Sequence, residues 1–199
     1  MRAVERDRPD VRAAREAWPS VLNTARVLDL VFVDESSATT TMIRMYGRSP
    51  VGERAVESAP LGHWDTHTMV SAIRCDGPFA PLLLEGALDG EVFTAWVEQM
   101  LIPELRPHDV VVLDNVQPHR VQAVARLLAA SGHRPVYLPP YSPDLNPIEE
   151  MWSKVKHFLR GAKARTWDEL LKAMADALKT VTQKDCIGYF RHCGYLCIN

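Results

Sequence analysis

Two short apolar runs, each followed by an aspartate, constrain the fold more than any other feature of this sequence. The first, Val27 to Val33, precedes Asp34, and the second, Val110 to Leu113, precedes Asp114. Short runs rich in β-branched residues are typical of central strands that are covered on both faces. If these strands are parallel neighbours, their carboxylates leave the sheet side by side, where open α/β sheets bind ligands.

The rest of the chain alternates between predicted strands and helices. Further strands are predicted over residues 39–46, 66–73, 79–84 and 135–138. Capping residues or N-terminal prolines precede apolar residues at helical spacing in four places. We therefore expect helices to begin near Asp89, Pro118, Pro147 and Thr166. This order predicts an α/β fold with a mixed sheet and helices packed on its faces.

Composition and charge indicate an ordinary globular domain. Hydrophobic residues make up 47% of the 199 residues, and the net charge of −2 argues against a protein that coats nucleic acid non-specifically. No apolar run approaches bilayer length, and residues 1–9 lack the apolar stretch of a signal peptide. We therefore expect a cytoplasmic protein with no membrane partner, in which residues 1–26 form a helical or loose lead-in and residues 27–199 one domain.

A third carboxylate, Glu149, is predicted to complete a site with Asp34 and Asp114. It lies in the first turn of a predicted helix, after a proline-rich segment that cannot be regular structure. Three carboxylates together suit Mg²⁺, and paired ions can clamp both reacting oxygens of a phosphodiester. As alternatives, the aspartates can be plain polar strand ends, and Glu149 can complete a capping box with Asn146. Rival carboxylates stand next to the candidates: Glu35 and Glu150.

The C-terminal region holds a cluster of thiols that allows two interpretations. Cys186, Cys193 and Cys197 lie near His192, and these residue types can bind zinc. Their spacing differs from the paired Cys-x-x-Cys of common zinc sites, so buried free thiols are the favoured interpretation.

Three strings around the acids resemble one family. They are Val33-Asp34-Glu35, Leu113-Asp114-Asn115 followed by His119, and Leu138-Pro-Pro-Tyr-Ser-Pro-Asp-Leu-Asn-Pro-Ile-Glu149-Glu-Met-Trp152. They closely resemble the DDE transposases of the mariner superfamily. With the ending Tyr189-Phe-Arg-His-Cys-Gly-Tyr195, the chain most resembles the bacterial insertion-sequence branch. Thirty-four residues separate Asp114 from Glu149, a spacing typical of that superfamily.

The resemblance implies an RNase H-like fold, a mixed sheet with helices on both faces. It implies that Asp34, Asp114 and Glu149 are the catalytic residues and the ligands of two Mg²⁺ or Mn²⁺ ions. It also implies nicking of double-stranded DNA at transposon ends, followed by attack of the freed 3′-hydroxyl on target DNA, commonly at a TA dinucleotide. Such a protein is expected to associate with the bacterial nucleoid.

A basic segment after Glu149 supplies candidate DNA contacts. Residues 151–165 contain Lys and Arg but no Asp or Glu, and Lys156 and Arg160 share a helical face with Glu149. We predict that they contact phosphates; the alternative is a solvated basic face. His119 can orient a phosphate or a carboxylate, or can simply lie on the surface. The full set of candidate DNA contacts is Lys154, Lys156, Arg160, His119, Tyr141 and Asn146.

One departure from the family pattern concerns DNA recognition. Full-length members carry helix-turn-helix domains ahead of the catalytic core, whereas about 26 residues precede the first predicted strand here. The chain is therefore interpreted as part of a split reading frame, a truncated relic or an excised domain. Two other functions stay open: a nuclease without strand transfer, and a silent domain that binds DNA or associates with a full-length transposase. A homodimer is a further expectation.

Overall fold

The computed structural model describes residues 4–22, 25–56, 58, 60, 65–114 and 118–196, without the side chains of residues 118–121. The strands within these residues are β1 (Leu30–Thr39), β2 (Thr66–Arg74), β3 (Gly77–Glu85), β4 (Val110–Leu113) and β5 (Arg134–Tyr137). The α-helices are α1 (Pro9–Val21), α2 (Gly90–Trp96), α3 (Ile102–Glu104), α4 (Pro118–Ala130), α5 (Pro147–Ala162), α6 (Trp167–Lys179) and α7 (Gln183–His192). A π-helical turn, Val97–Leu101, joins α2 to α3.

The strands form one mixed sheet in the order β3-β2-β1-β4-β5. β1 pairs antiparallel with β2, and β2 pairs antiparallel with β3. β1 also pairs parallel with β4, and β4 pairs parallel with β5. The predicted mixed sheet and the predicted parallel pairing of the two aspartate-bearing strands are confirmed.

Helices cover both faces of this sheet, as expected. Leu30 and Phe32 of β1 face a core layer that α1, α5, α6 and α7 share. Val31 and Val33, which point the other way, face a second layer that α2 and α4 cover. Because alternate residues of a strand point to opposite faces, the apolar run of β1 is buried on both sides.

One predicted strand is wrong, and one strand end is misplaced. Residues 40–46 lie outside the strands; β1 instead continues to Thr39, which pairs with Thr66. The far edge of β2 is taken by β3, so residues 40–46 find no free edge of β2. Asp34 therefore lies within β1 and not at its end. The predicted strands at 66–73, 79–84 and 135–138 are confirmed with shifted ends.

Both ends of the described chain pack into the layer that contains α5. Trp18 of α1 is 4% exposed, and its indole N–H donates to Tyr195 Oη at 2.9 Å. Tyr195 Oη in turn donates to the Leu145 carbonyl at 2.7 Å. The lead-in thus contains a helix that shares the core. α7, which sequence reasoning missed, begins with a capping box between Thr182 and Asp185.

Among the described residues, none of the helices is both long and apolar enough to cross a lipid bilayer.

Candidate active site

The parallel pairing of β1 with β4 brings the two aspartates level. Leu30 pairs with Val110 and Phe32 with Val112, so the same offset sets Asp34 level with Asp114. Every second residue before each aspartate faces the core layer that contains α5. Because side chains of a strand alternate between its two faces, both aspartates point to that same face. β4 ends at Leu113, one residue before Asp114.

Helix α5 supplies the third acid. Pro147 occupies its first position and Glu149 lies in its first turn. Buried apolar side chains hold the helix on the sheet: Ile148, Met151, Trp152, Val155 and Leu159. The capping-box alternative for Glu149 is wrong because the Asn146 side chain makes no capping hydrogen bond. The Glu149 N–H donates to the Asn146 backbone carbonyl at 3.1 Å instead.

The three acids act on one another electrostatically. Burial, followed by the charges of Glu149 and Asp114, raises the pKa of Asp34 to about 8. Burial also raises the pKa of Glu149, with Asp114 and Glu150 as further causes, while Lys156 opposes the rise. Negative charge in this site is therefore costly until a cation joins it.

A pocket of about 400 Å³ lies beside Asp114 and Glu149. Its other wall is the proline-rich segment of residues 138–146, here named the signature loop. Tyr141 in this loop is 45% exposed and has a φ of 55°, in the left-handed region that bulky residues rarely adopt. Such local strain is common where a loop shapes a functional site.

The signature loop is held from the side of α1. The Arg15 guanidinium donates to Ser142 Oγ at 2.6 Å and to Asp144 Oδ2 at 2.7 Å. Arg6 donates to the same carboxylate oxygen at 3.0 Å. These guanidinium groups hold the pKa of Asp144 below its usual value against the opposing effect of its burial. The loop that leads to Glu149 is thus tied to the N-terminal helix.

The structure separates the predicted basic contacts into two groups. Burial lowers the pKa of Lys156, with Glu149 and Asp34 opposing and Arg160 assisting, so these three charged groups lie within electrostatic reach of the Lys156 ammonium. Lys154 points elsewhere: its ammonium donates to the Thr180 carbonyl and to Asp185, each at 2.8 Å. Lys154 is therefore engaged in joining α5 to α7.

The remaining predicted residues are dispersed. The His119 side chain lies outside the described residues. Glu35, the neighbour of Asp34, is exposed, and Glu150 lies 3.6 Å from His192. Both charges still act on the candidate site: Glu35 is among the causes that raise the pKa of Asp34, and Glu150 among those that raise the pKa of Glu149.

The thiols follow the favoured interpretation where they are described. Cys186 and Cys193 are buried free cysteines, and burial raises the pKa of both to about 12. Cys197 lies outside the described residues.

Within the described ranges, no group of three or more His, Cys, Asp and Glu side chains is arranged to hold a metal ion. The donor chemistry of the triad nevertheless fits one. Asp34, Asp114 and Glu149 offer only carboxylate oxygens, which Mg²⁺ and Mn²⁺ accept as ligands. A divalent cation would also offset the repulsion that raises the pKa values of Asp34 and Glu149.

Sequence reasoning missed the contacts that position the site. It assigned no role to Arg15, Asp144 or Tyr195. Asn146 is the N-cap residue of α5 by position, but its side chain makes no capping bond; Nδ2 donates to Asp34 Oδ2 at 3.3 Å instead. These partners are more than one hundred residues apart in the chain or lie on different elements. The sequence carries no local signal for such pairs, although the Thr182–Asp185 capping box could have revealed α7.

Comparison with known proteins gives concordant results. Residues 29–171 match the family model described as DDE superfamily endonuclease. The chain is 27% identical over 142 residues to the Transposable element Tcb1 transposase of Caenorhabditis briggsae, covering 67% of this chain and 52% of that protein. The chain thus spans about half the length of this curated relative.

Two solved structures share the fold at low identity. The mariner Mos1 paired end complex with Mg is 16% identical and has a TM-score of 0.73, covering 96% of this chain and 60% of that one. The Mos1 transposase catalytic domain with Raltegravir and Mn is 14% identical and has a TM-score of 0.72, covering 98% and 92%. The RNase H-like fold is confirmed. Because the family match spans most of the chain and includes Asp34, Asp114 and Glu149, the chain belongs to the DDE superfamily endonuclease family.

Proposed function

We propose that this chain is the catalytic domain of a DNA transposase, which cuts DNA strands and joins the freed 3′-hydroxyl to target DNA. One observation carries the proposal. Asp34 and Asp114 stand level on neighbouring parallel strands, and the charge of Glu149 on α5 is among the causes that raise the pKa of Asp34. Family membership gives this arrangement its chemical meaning.

Asp34, Asp114 and Glu149 would hold two Mg²⁺ or Mn²⁺ ions. Bound there, the ions supply Lewis-acid stabilisation for the attacking and leaving oxygens of a phosphodiester. The sheet fixes Asp34 and Asp114 as neighbours, and the buried face of α5 fixes Glu149 above them. Mos1 structures with Mg and with Mn support this choice of metals.

Lys156 and Arg160 hold the phosphates of the DNA beside the acids. Lys156 lies within electrostatic reach of Asp34 and Glu149, so a phosphate that bridges the acid site and α5 meets its ammonium group.

Tyr141 and Asn146 line the pocket and border the DNA path, and His119 and Lys154 complete the proposed contact set. The contribution of Lys154 is the weakest because Asp185 already neutralises it.

The finer assignments follow from the sequence resemblance. We place the chain in the bacterial insertion-sequence branch, with residues 27–199 as the catalytic domain, TA dinucleotides as targets and the nucleoid as its location. Double-stranded DNA is the proposed partner. A homodimer, or association with a full-length transposase, is proposed because a Mos1 relative forms a paired end complex.

The first test is nicking of supercoiled plasmid in Mn²⁺ or Mg²⁺. The full 199-residue chain is compared with Asp34→Asn, Asp114→Asn and Glu149→Gln, and with the exposed Asp176→Asn as a matched control. We expect metal-dependent nicking that the three site variants lose and the control keeps. Mn²⁺ binding is measured in parallel by electron paramagnetic resonance. A folded wild type that neither nicks DNA nor binds Mn²⁺ would contradict the proposal and favour a silent domain.

Strand transfer and DNA contact need separate assays. A pre-cut oligonucleotide with a 3′-hydroxyl end should join to a target plasmid, and sequencing of the junctions tests the TA preference. Nicking without joining would indicate a nuclease that does not transfer strands.

DNA contact is tested with two variants of α5. Lys156→Ala and Arg160→Ala should each weaken DNA binding and reduce its salt dependence. If the variants bind DNA as tightly as wild type, with the same dependence on salt concentration, these two residues do not contact the phosphates.

A further inference from the structure

Asn146 stands at the junction between the signature loop and α5, and it is only 4% exposed. An asparagine that precedes a helix normally accepts a hydrogen bond from the backbone N–H of the second or third helical residue. Here the side chain makes no such bond. It turns toward the sheet instead, and Nδ2 donates to Asp34 Oδ2 at 3.3 Å.

This bond completes the restraint of the Asp34 carboxylate. The other oxygen, Oδ1, accepts from the Glu35 backbone N–H at 2.8 Å. With one donor on each oxygen, rotation of the carboxylate about its terminal bond would break a hydrogen bond. An ionised carboxylate has about four acceptor positions, so two donors leave room for a cation.

The Asn146 amide is otherwise poorly satisfied. Its Oδ1 is buried and has no hydrogen-bond partner in the described part of the chain. Reversing the amide would set Oδ1 against Asp34 Oδ2, two acceptors with no proton between them once Asp34 is ionised. A plain helix cap does not explain a buried side chain that keeps this orientation and leaves one of its own atoms unpaired.

Asn146 also lies three residues before Glu149, whose N–H donates to the Asn146 carbonyl at 3.1 Å. One residue therefore contacts Asp34 through its side chain and the first turn of α5 through its backbone. Movement of α5 along the sheet would stretch the bond to Asp34. Asn146 therefore links Asp34 to the first turn of α5.

We propose that Asn146 is a positioning residue for metal binding: its amide orients Asp34 and fixes the placement of Glu149 relative to it. This inference rests on the proposed function, because it assigns Asp34 and Glu149 as metal ligands. This role is additional to the proposed place of Asn146 beside the DNA path. Groups that orient metal ligands typically change metal affinity 10–100-fold, roughly, when removed.

The test measures Mn²⁺ affinity and nicking in the full chain. Asn146→Ala should raise the Mn²⁺ dissociation constant about 10–100-fold. Nicking should recover at high Mn²⁺, because excess metal offsets the weaker binding. Asn146→Ser keeps a good helix cap but has too short a side chain to reach Asp34, so it should show the same loss even if the alanine variant does not fold.

A matched control separates orientation of Asp34 from stiffness of the loop. Ser142 is equally buried in the signature loop, but its hydroxyl donates to the Pro140 carbonyl and accepts from Arg15. Ser142→Ala should leave Mn²⁺ affinity near the wild-type value. In an Asp34→Asn background, Asn146→Ala should cause no further loss of affinity, because the orientation of Asp34 no longer matters.

The outcomes distinguish the two proposals. If wild type binds Mn²⁺ and nicks DNA while folded Asn146 variants match it, the positioning role is wrong and the proposed function stands. Equal losses of affinity in Ser142→Ala and Asn146→Ala would also overturn the positioning role. If wild type binds no Mn²⁺, the proposed function fails and this inference fails with it.

Discussion

The signature loop and the connection between β1 and β2, residues 40–65, are both rich in proline or glycine, yet they differ in how far their side chains are buried. In the signature loop, Leu138, Ser142 and Asn146 are each no more than 6% exposed. In the described part of the connection, Tyr46 is 93% exposed and Val51 is fully exposed. Prolines and glycines alone therefore do not distinguish a fixed loop from a solvent-facing one.

The difference lies in what surrounds each loop. The signature loop is enclosed by α1, Tyr195 and the acid site, and Arg15 and Tyr195 bond it from outside. The connection contacts the core near its start, where Arg165 donates to the Thr40 carbonyl at 2.7 Å, and then leaves the sheet. The loop that leads to Glu149, the proposed catalytic acid, is tied down, and small displacements of a catalytic group cost large factors in rate.

The largest effect is expected from the aromatic tether of the signature loop. Trp18→Ala empties a core position and removes the bond to Tyr195, so the free energy of unfolding should fall by about 3–5 kcal/mol. Urea denaturation measures this loss. Tyr46→Ala, an equally large change in the connection, should stay within about 0.5 kcal/mol of wild type. Comparable losses in the two variants would erase the contrast between the loops.

A smaller effect is expected from the polar tether. Arg15→Ala removes hydrogen bonds to Ser142 and Asp144 and should cost about 1–2 kcal/mol, a value limited because Asp144 is 41% exposed. Nicking should fall at temperatures where the variant remains folded, because the loop loosens. Arg12→Ala, on the same helix, breaks only an exposed pair with Asp7 and serves as the control. An Arg15 variant with unchanged nicking would show that the tether is not needed for activity.

The next effect concerns the ion pair between Lys154 of α5 and Asp185 of α7. Lys154 and Thr182 hold the pKa of Asp185 far below its ordinary value. A depressed acid stabilises the fold above its unfolded pKa, about 3.9, and the contribution is lost as the pH falls toward the folded pKa. Lys154→Ala should therefore cost about 0.5–1 kcal/mol at pH 7 and less at pH 3.

Thermal unfolding of wild type and Lys154→Ala at both pH values measures this change. Lys179→Ala, which breaks the exposed pair with Asp176, is the control and should have little effect at either pH. A Lys154 penalty that stays constant with pH would refute the ion pair as its source.

The smallest effect is expected from lengthening the connection. A Gly-Ser insertion after Gly52, a turn residue with a φ of 90°, should cost no more than about 0.6 kcal/mol and leave nicking intact. The same insertion after Pro140 should abolish nicking, because it shifts Asn146 and Glu149 relative to the sheet. Plasmid nicking and urea denaturation compare the two. Loss of nicking from the Gly52 insertion would assign the connection a part in catalysis.

Sequence reasoning located the elements of the site well where the signal is local. The apolar run before Asp114 and the proline before α5 predicted a strand and a helix that the structure confirms. The strand at 39–46 was wrong beyond Thr39: β1 itself continues to Thr39 as the partner of β2, and the other edge of β2 is taken by β3. Asn146 holds the N-cap position that the sequence predicted, but its distant side-chain partner, Asp34, leaves no trace in the neighbouring residues.

The sequence by itself determined which residues could form the site. Alternation along a strand sets Asp34 in phase with Phe32, and Asp114 in phase with Val112, whatever lies outside the sheet. The tertiary structure decided that α5 covers that face, that α1 and Tyr195 enclose the loop before it, and that Lys154 turns away while Lys156 joins the acids. The physical reason is range: alternation and capping act over a few residues, whereas the approach of Glu149 and Asn146 to Asp34 depends on how layers far apart in the chain pack together.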